Sequence, residues 1–266
     1  MTDDAVDAIG HRHPEARRLR DLLREPAARQ EAGQFVLEGP RLVADALDRG
    51  VPLTGVYFGL NARRSFASLV TAVEAAGRPI RDLKDGVLER LMSTRTPQPV
   101  LAVAAIPTPL TLAAIAPGLV VLTAGVSDPG NLGTILRSAE AAGAVAVVTA
   151  DGVDPWNPKV VRASAGSVLG VPVVSVGDAS AALETLHAAG RRLVGADGDA
   201  TLEYTDADLA GDVVIVVGSE AHGIPADATT RLDVTVRIPM AGAVESLNAG
   251  VAASILLFEA ARQHRR

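Results

Sequence analysis

The chain has 266 residues, a length that suits two domains, and 48% of them are hydrophobic, enough to fill a core in each. Aromatics are only 3%, so Val, Leu, Ile and Ala must do the filling, and the lack of cysteine excludes disulfides, thiolate zinc sites and cysteine nucleophiles. The formal charge of −6 weighs mildly against nucleic acid, but residues 1–107 balance at +1 and residues 108–266 at −7.

In chain order, Met1 to Asp7 is acidic and lacks the apolar core of a signal peptide. No apolar run reaches the roughly 18 residues of a membrane helix. The protein is therefore expected to be soluble and cytoplasmic, with no membrane partner. Arg12, Arg17, Arg18, Arg20, Arg24 and Arg29 follow within eighteen residues. They make either a local basic patch for phosphates or a solvated helix face with pairs such as Arg17 and Asp21.

The patterns then read as helix Pro14 to Arg24, strand Gln34 to Glu38, helix Pro40 to Asp48 and strand Leu53 to Phe58. A helix from Phe66 to Ala76, ended by Gly77, a helix from Asp85 to Met92 and a strand from Pro99 to Ala105 complete a small α/β domain over residues 13–106. Pro107 and Pro109 stiffen a linker over residues 107–116.

The second domain, residues 117–266, alternates more cleanly. Strand Leu119 to Ala124 precedes a helix from Leu132 to Ala142, capped by Asn131 and closed by Gly143. Strand Val145 to Thr149, helix Pro158 to Leu169, strand Val171 to Val176 and helix Ala179 to Ala189 come next. Strands Arg192 to Ala196, Val213 to Val217 and Val234 to Ile238 lead to a last helix from about Ser246 to Gln263, with Ser246 or Glu245 as its cap. Such alternation predicts a mostly parallel, doubly wound sheet, with ligands bound by loops at the strand ends.

A dinucleotide would be the usual ligand of such a sheet, but no Gly-x-Gly-x-x-Gly follows a first strand, and Gly130-Asn131-Leu132-Gly133 is too short. No phosphate-binding Gly-x-x-x-x-Gly-Lys or Gly-x-Ser-x-Gly elbow is present, and His11, His13, His187, His222 and His264 lack metal spacing. Three loops remain. Asp128-Pro129-Gly130-Asn131 is a turn leading into a helix that carries Arg137, six residues and about 9 Å along the axis. Arg137 is either a charge beside an anionic substrate or an exposed residue of an amphipathic helix. Gly218-Ser219-Glu220-Ala221-His222-Gly223 is either a close-approach loop whose Glu220 meets a ligand or Arg137, or a tight surface turn. Ile238-Pro239-Met240 through Glu245-Ser246-Leu247-Asn248 opens the last helix, whose free N–H groups suit a ligand.

These three segments, in this order, resemble the SpoU (TrmH-like) branch of the SPOUT RNA methyltransferases. Asn157 to Gly166 is similar to the family's middle region. Gly33-Gln34-Phe35-Val36-Leu37-Glu38-Gly39-Pro40-Arg41 and Ser93-Thr94-Arg95-Thr96-Pro97-Gln98 resemble the opening and last turn of its L30e-like substrate-binding domain. One departure is Ser127, where Gln or Glu is common.

The resemblance implies a carboxy-terminal trefoil knot whose loops hold S-adenosylmethionine, a homodimer with the active site at its interface, and no metal. It implies cofactor contacts at Gly218, Ile238 and Leu247, largely through backbone, with Met240 nearby, and a catalytic polar set of Arg137, Asn131, Glu220, Ser246 and Asn248. The reaction implied is methyl transfer to a ribose 2′-hydroxyl of RNA, with ribosomal RNA preferred over transfer RNA. The alternatives are an RNA-binding assembly factor without turnover and a conventional nucleotide-binding enzyme. Arginine is a poor general base, so Arg137 is expected to hold a phosphate and stabilise the developing alkoxide.

Overall fold

The computed structural model describes residues 8–92, 97–242, 244 and 246–265. The expectations placed on Met1 to Asp7, on Ser93 to Thr96 and on Glu245 lie outside the described residues. Two compact units result. The first runs to Pro107 and also takes in Trp156–Arg162; the second comprises Thr108–Pro155 and the chain from Ala163 onward.

In the first unit, α1 (Pro14–Arg24), α2 (Pro26–Ala32), β1 (Gln34–Glu38), α3 (Pro40–Asp48), β2 (Leu53–Phe58), α4 (Ala62–Ser65), α5 (Ala67–Ala75), β3 (Ile80–Asp82), α6 (Val87–Leu91) and β4 (Val100–Ala105) follow in order. The strands form one mixed sheet, β1-β4-β2-β3, with β4 antiparallel to both neighbours. Leu19 and Leu22 of α1 and Leu88 and Leu91 of α6 pack with Val36, Tyr57, Leu101 and Val103 of the sheet. Within the same unit the Phe35 and Trp156 rings lie 4.7 Å apart, and Arg162 pairs at 2.7 Å with Glu38, whose side chain is buried.

The helix expected over Phe66 to Ala76 is α5, one residue shorter at each end with Phe66 (φ −125°, ψ 42°) as its N-cap; the short α4 before it was not expected. Two expectations need correction here. Arg29 does not belong to a basic patch: it is buried in α2 and donates to the Leu22 carbonyl at 2.8 Å. On α1 Arg18 pairs with Glu15 at 2.9 Å, in place of the Arg17–Asp21 pair suggested by spacing.

Further along the chain come β5 (Val120–Ala124), α7 (Pro129–Ala142), β6 (Ala146–Ala150), α8 (Pro158–Ala163), β7 (Val173–Val176), α9 (Ala179–Ala188), β8 (Arg192–Ala196), β9 (Leu202–Glu203), β10 (Val213–Gly218), α10 (Ala226–Thr229), β11 (Val234–Arg237) and α11 (Ala249–His264). Of these, α8 up to Arg162 belongs to the first unit and all the others to the second. Its seven strands are all parallel, in the order β7-β6-β5-β10-β8-β11-β9. Val120, Leu122, Val214 and Val216 share a core with Leu183 and Leu186 of α9. The alternate residues Val121 and Ile215 are equally buried, and α11 packs on β10 and α7 on β6. Both faces are thus covered, the physical reason these strands read as unbroken apolar runs. The helix expected over Pro158 to Leu169 is shorter: α8 stops at Ala163, residues Ala165 and Gly166 turn left-handed, and Ser167–Leu169 forms a single 3-10 turn.

Candidate functional site

In the second sheet, strand order reverses between β5 and β10: β6 and β7 lie on one side of that pair and β8, β11 and β9 on the other. The loops leaving the two strands therefore diverge and open a crevice, the usual ligand position in an open α/β sheet. β5 and β10 end level there, Ala124 opposite Gly218. The loop beyond β5 enters α7, and the loop beyond β10 holds Glu220.

The sequence placed the α7 cap at Asn131; the structure places it at Asp128, whose carboxylate accepts the Asn131 amide N–H at 2.9 Å. Pro129 has no N–H to satisfy and a φ already set for a first helical position, so the cap falls one residue before it. This releases the Asn131 side chain, which is buried beside the crevice. Its Nδ2 donates to Glu220 Oε1, and its Oδ1 accepts from Asn248 Nδ2 at 2.7 Å. Asn248 Oδ1 in turn accepts the Val251 amide at 3.2 Å, so α11 begins at Ala249 with Asn248 as cap, three residues later than the expected Ser246. The Glu220 carboxylate can only accept, and that fixes both amides: each must turn its NH₂ towards Glu220 along the chain.

The same two helices are held in register further along. Gly250 lies so close to α7 that an added Cβ would come within 3.0 Å of Thr134 Cβ. One turn on, Ser138 Oγ and Ser254 Oγ are 2.7 Å apart, and Ser254 donates to the Gly250 carbonyl at 2.6 Å. Ser254 has one hydroxyl proton, already committed, so Ser138 is the donor of the pair.

Beside this network lies a cavity of about 510 Å³ at the ends of β8, β10 and β11. Gly218, Glu220, Ile238, Met240, Ser246 and Leu247 all line it, so six of the nine residues singled out in the sequence share one pocket. Gly218 is required there: the loop returns on itself through reciprocal Ser219–Gly223 backbone bonds, and a Cβ at 218 would sit 2.0 Å from the Gly223 carbonyl carbon. The tight-turn reading of this segment is thus met. Val217, Ile238, Leu247 and Ala252 give the pocket an apolar wall. Among the described residues the backbone N–H and C=O groups of Ile238 and Leu247 make no hydrogen bond. An apolar slot edged by free amide groups, with carboxylates at its rim, fits an adenosine bearing a cationic sulfonium.

Arg137 stands apart. It is exposed on α7 and its side chain makes no hydrogen bond or ion pair among the described residues; Glu220 meets Asn131 instead of orienting the guanidinium. Sequence reasoning missed Asp128 as the cap and the Ser138–Ser254 contact. It also missed Asp197 and Arg237, which line the cavity from the ends of β8 and β11. For these two the signal was available, since both sit at the carboxyl ends of strands.

Comparison with known proteins agrees with this geometry. The model of the SpoU rRNA Methylase family matches residues 118–258, and that of the thiostrepton-resistance methylase N terminus matches residues 6–118. A Mycobacterium avium protein named as an uncharacterized tRNA/rRNA methyltransferase is 35% identical over 265 residues, covering 95% of this chain and 85% of that one. The SpoU methyltransferase AviRb from Streptomyces viridochromogenes, solved in complex with the cofactor AdoMet, superposes with a TM-score of 0.86 at 30% identity, over 95% of this chain and 98% of that one. A structure described as an RNA 2′-O ribose methyltransferase gives 0.79 at 34% identity, over 96% and 98%. With the family match spanning more than half of its length, the chain belongs to the SpoU rRNA methylases, a family of S-adenosylmethionine-dependent RNA methyltransferases.

Proposed function

We propose that the protein methylates a ribose 2′-hydroxyl of ribosomal RNA. The observation that carries this reading is the Asn131–Glu220–Asn248 network at the switch point, set against a pocket that fits the methyl donor. The similarity to an RNA 2′-O ribose methyltransferase at 34% identity supports the ribose as acceptor. The match of residues 6–118 to a resistance methylase amino terminus supports an RNA-binding role for the first unit.

S-adenosylmethionine supplies an electrophilic methyl group on a sulfonium, so the protein must chiefly align the acceptor and manage one proton. Glu220 spends Oε1 on Asn131 and keeps Oε2 for the ribose. Asn131 and Asn248 hold that carboxylate in place, and Ser246, exposed at the pocket rim, contacts the donor or the ribose. Arg137 has all five donors uncommitted and is suited to the phosphate flanking the target ribose. There it stabilises the alkoxide as the hydroxyl proton leaves to solvent. With the donor bound, its methyl group would pass from sulfur to the ribose oxygen, leaving the bonding pair on sulfur.

The reading includes a knotted carboxy-terminal crossing and a homodimer. Val251 and Phe258, seven residues apart on α11 and therefore on one face, are 45% and 47% exposed, an apolar stripe that a second copy would cover. The test is transfer of labelled methyl from S-adenosylmethionine to under-modified ribosomal subunits and, separately, to transfer RNA, with nucleoside analysis of the product. Label in a 2′-O-methyl nucleoside of ribosomal RNA is expected. Label on a base, or in transfer RNA alone, would overturn the assignment, and donor binding without transfer to either would favour an assembly factor.

A further inference from the structure

We infer that the Asp197 carboxylate receives the two ribose hydroxyls of the methyl donor, an inference that rests on the use of S-adenosylmethionine. Two carboxylates line the cavity among the described residues, Glu220 and Asp197. Glu220 is bound to Asn131 at the reacting end. Asp197 immediately follows β8; its amide donates to the Val236 carbonyl at 3.0 Å, which ties it to β11, and its Oδ1 accepts the Asp199 amide at 2.9 Å. The carboxylate is thereby oriented while Oδ2 has no partner among the described residues. Burial is not its reason for being there, since Asp197 is exposed at the mouth of the cavity.

Strand order says which part of the donor it meets. The reacting groups stand at the β5–β10 end, and the free backbone groups of Ile238 and Leu247, suited to an adenine edge, follow β11. β8 lies between β10 and β11. In the donor, the ribose lies between the sulfonium and the adenine, so a donor spanning the pocket brings its ribose to the end of β8. A carboxylate presents paired acceptors to the paired donors of a vicinal diol, and an acidic residue at a strand end is a general solution for ribose hydroxyls. The neighbouring Arg237 turns away to Glu203 at 3.3 Å and leaves Asp197 available.

The test is calorimetric and needs no turnover. S-adenosylhomocysteine, whose sulfur is neutral, and its 2′,3′-dideoxy counterpart are titrated into wild type, Asp197→Ala and Asp197→Asn. Wild type is expected to prefer the diol by about tenfold, as for hydrogen bonds to a charged group. Asp197→Ala should lose that preference by binding the diol weakly and the dideoxy compound as before, and Asp197→Asn should fall between. Equal weakening of both compounds, or a preference that survives in Asp197→Ala, would overturn the inference. If wild type binds neither compound, the donor reading itself fails, a result distinct from both of those.

Discussion

The two units each contain a side-chain network centred on a carboxylate, and the contrast between them separates stability from function. In the first, Glu15 accepts from the Tyr57 hydroxyl and from Arg18, and Arg18 also donates to Gln34. Tyr57 is buried, and burial, then the hydrogen bond and charge of Glu15, push its phenol well above the usual tyrosine range. Every participant is satisfied inside the unit. In the second, Glu220, Asn131 and Asn248 are linked in one direction, but the network ends open at the second oxygen of Glu220, while Arg137, outside the network on α7, has no side-chain partner among the described residues. A closed network rigidifies a core, whereas an open one at a crevice waits for a ligand. Removing a member should therefore cost stability in the first unit and turnover in the second.

The largest effect is expected where the loop itself fails. Gly218→Ala places a Cβ against the Gly223 backbone. It should destabilise the second unit by about 1–3 kcal/mol, as overpacking does, and abolish calorimetric binding of S-adenosylhomocysteine. Normal binding by this variant would show that the turn yields, and that Gly218 is not what closes the pocket. Arg137→Ala comes next. Loss of one charge-stabilising donor is worth about 10²–10³ in kcat, whereas an exposed side chain without partners contributes within about 0.5 kcal/mol to stability. Methyl transfer should collapse while the melting midpoint stays put. Arg137→Lys, which keeps the charge but not the fork, should fall between, and near-wild-type turnover in both variants would remove Arg137 from the mechanism.

Tyr57→Phe is the counter-experiment in the closed network. It removes the phenol donor from Glu15 at a cost of about 1–3 kcal/mol, with methyl transfer per folded molecule unchanged. The phenol also sets a pH dependence. Its folded pKa is raised above the unfolded value of 10.0, so the unfolded chain releases that proton first. This contribution to stability is complete below pH 10 and is lost as pH rises towards the folded value. Denaturant melts above pH 10 should show a steeper loss in wild type than in Tyr57→Phe; equal slopes would mean that the phenol ionises as readily folded as unfolded.

Much of this was legible in the chain. β1, β2 and β8 fall on the residues their apolar runs marked, and of the pocket residues Gly218 ends β10, Ile238 follows β11 and Leu247 stands just ahead of α11. What could not be read depended on contacts distant in sequence. Asp128 and Asn131 are both good caps, and the choice of Asp128 shows only when Asn131 is seen engaged by Glu220, 89 residues away. Arg29 is one arginine among six until its guanidinium is found turned inward onto the Leu22 carbonyl. β9 is a two-residue strand, held as strand by its parallel partner β11 and by nothing in its own pattern.

The smallest effect tests how far the open network depends on its scaffold. Asn131 and Arg137 ride on α7 and Asn248 heads α11, so the geometry of the network is the register of two parallel helices. Ser138 fixes that register through Ser254, which in turn binds the Gly250 carbonyl in the first turn of α11. A slip of one residue along a helix is about 1.5 Å, enough to break the 2.7 Å contact between Asn248 and Asn131. Ser138→Ala forfeits one neutral hydrogen bond, about 1 kcal/mol, which corresponds to about fivefold. If that energy holds the register, it should be lost from kcat, with KM for RNA and donor unchanged, and Ser138→Thr should restore it by keeping the hydroxyl. If the bond merely stabilises the helix pair, Ser138→Ala will lower the melting midpoint and leave kcat alone. The open network would then be held by the close approach at Gly250 instead.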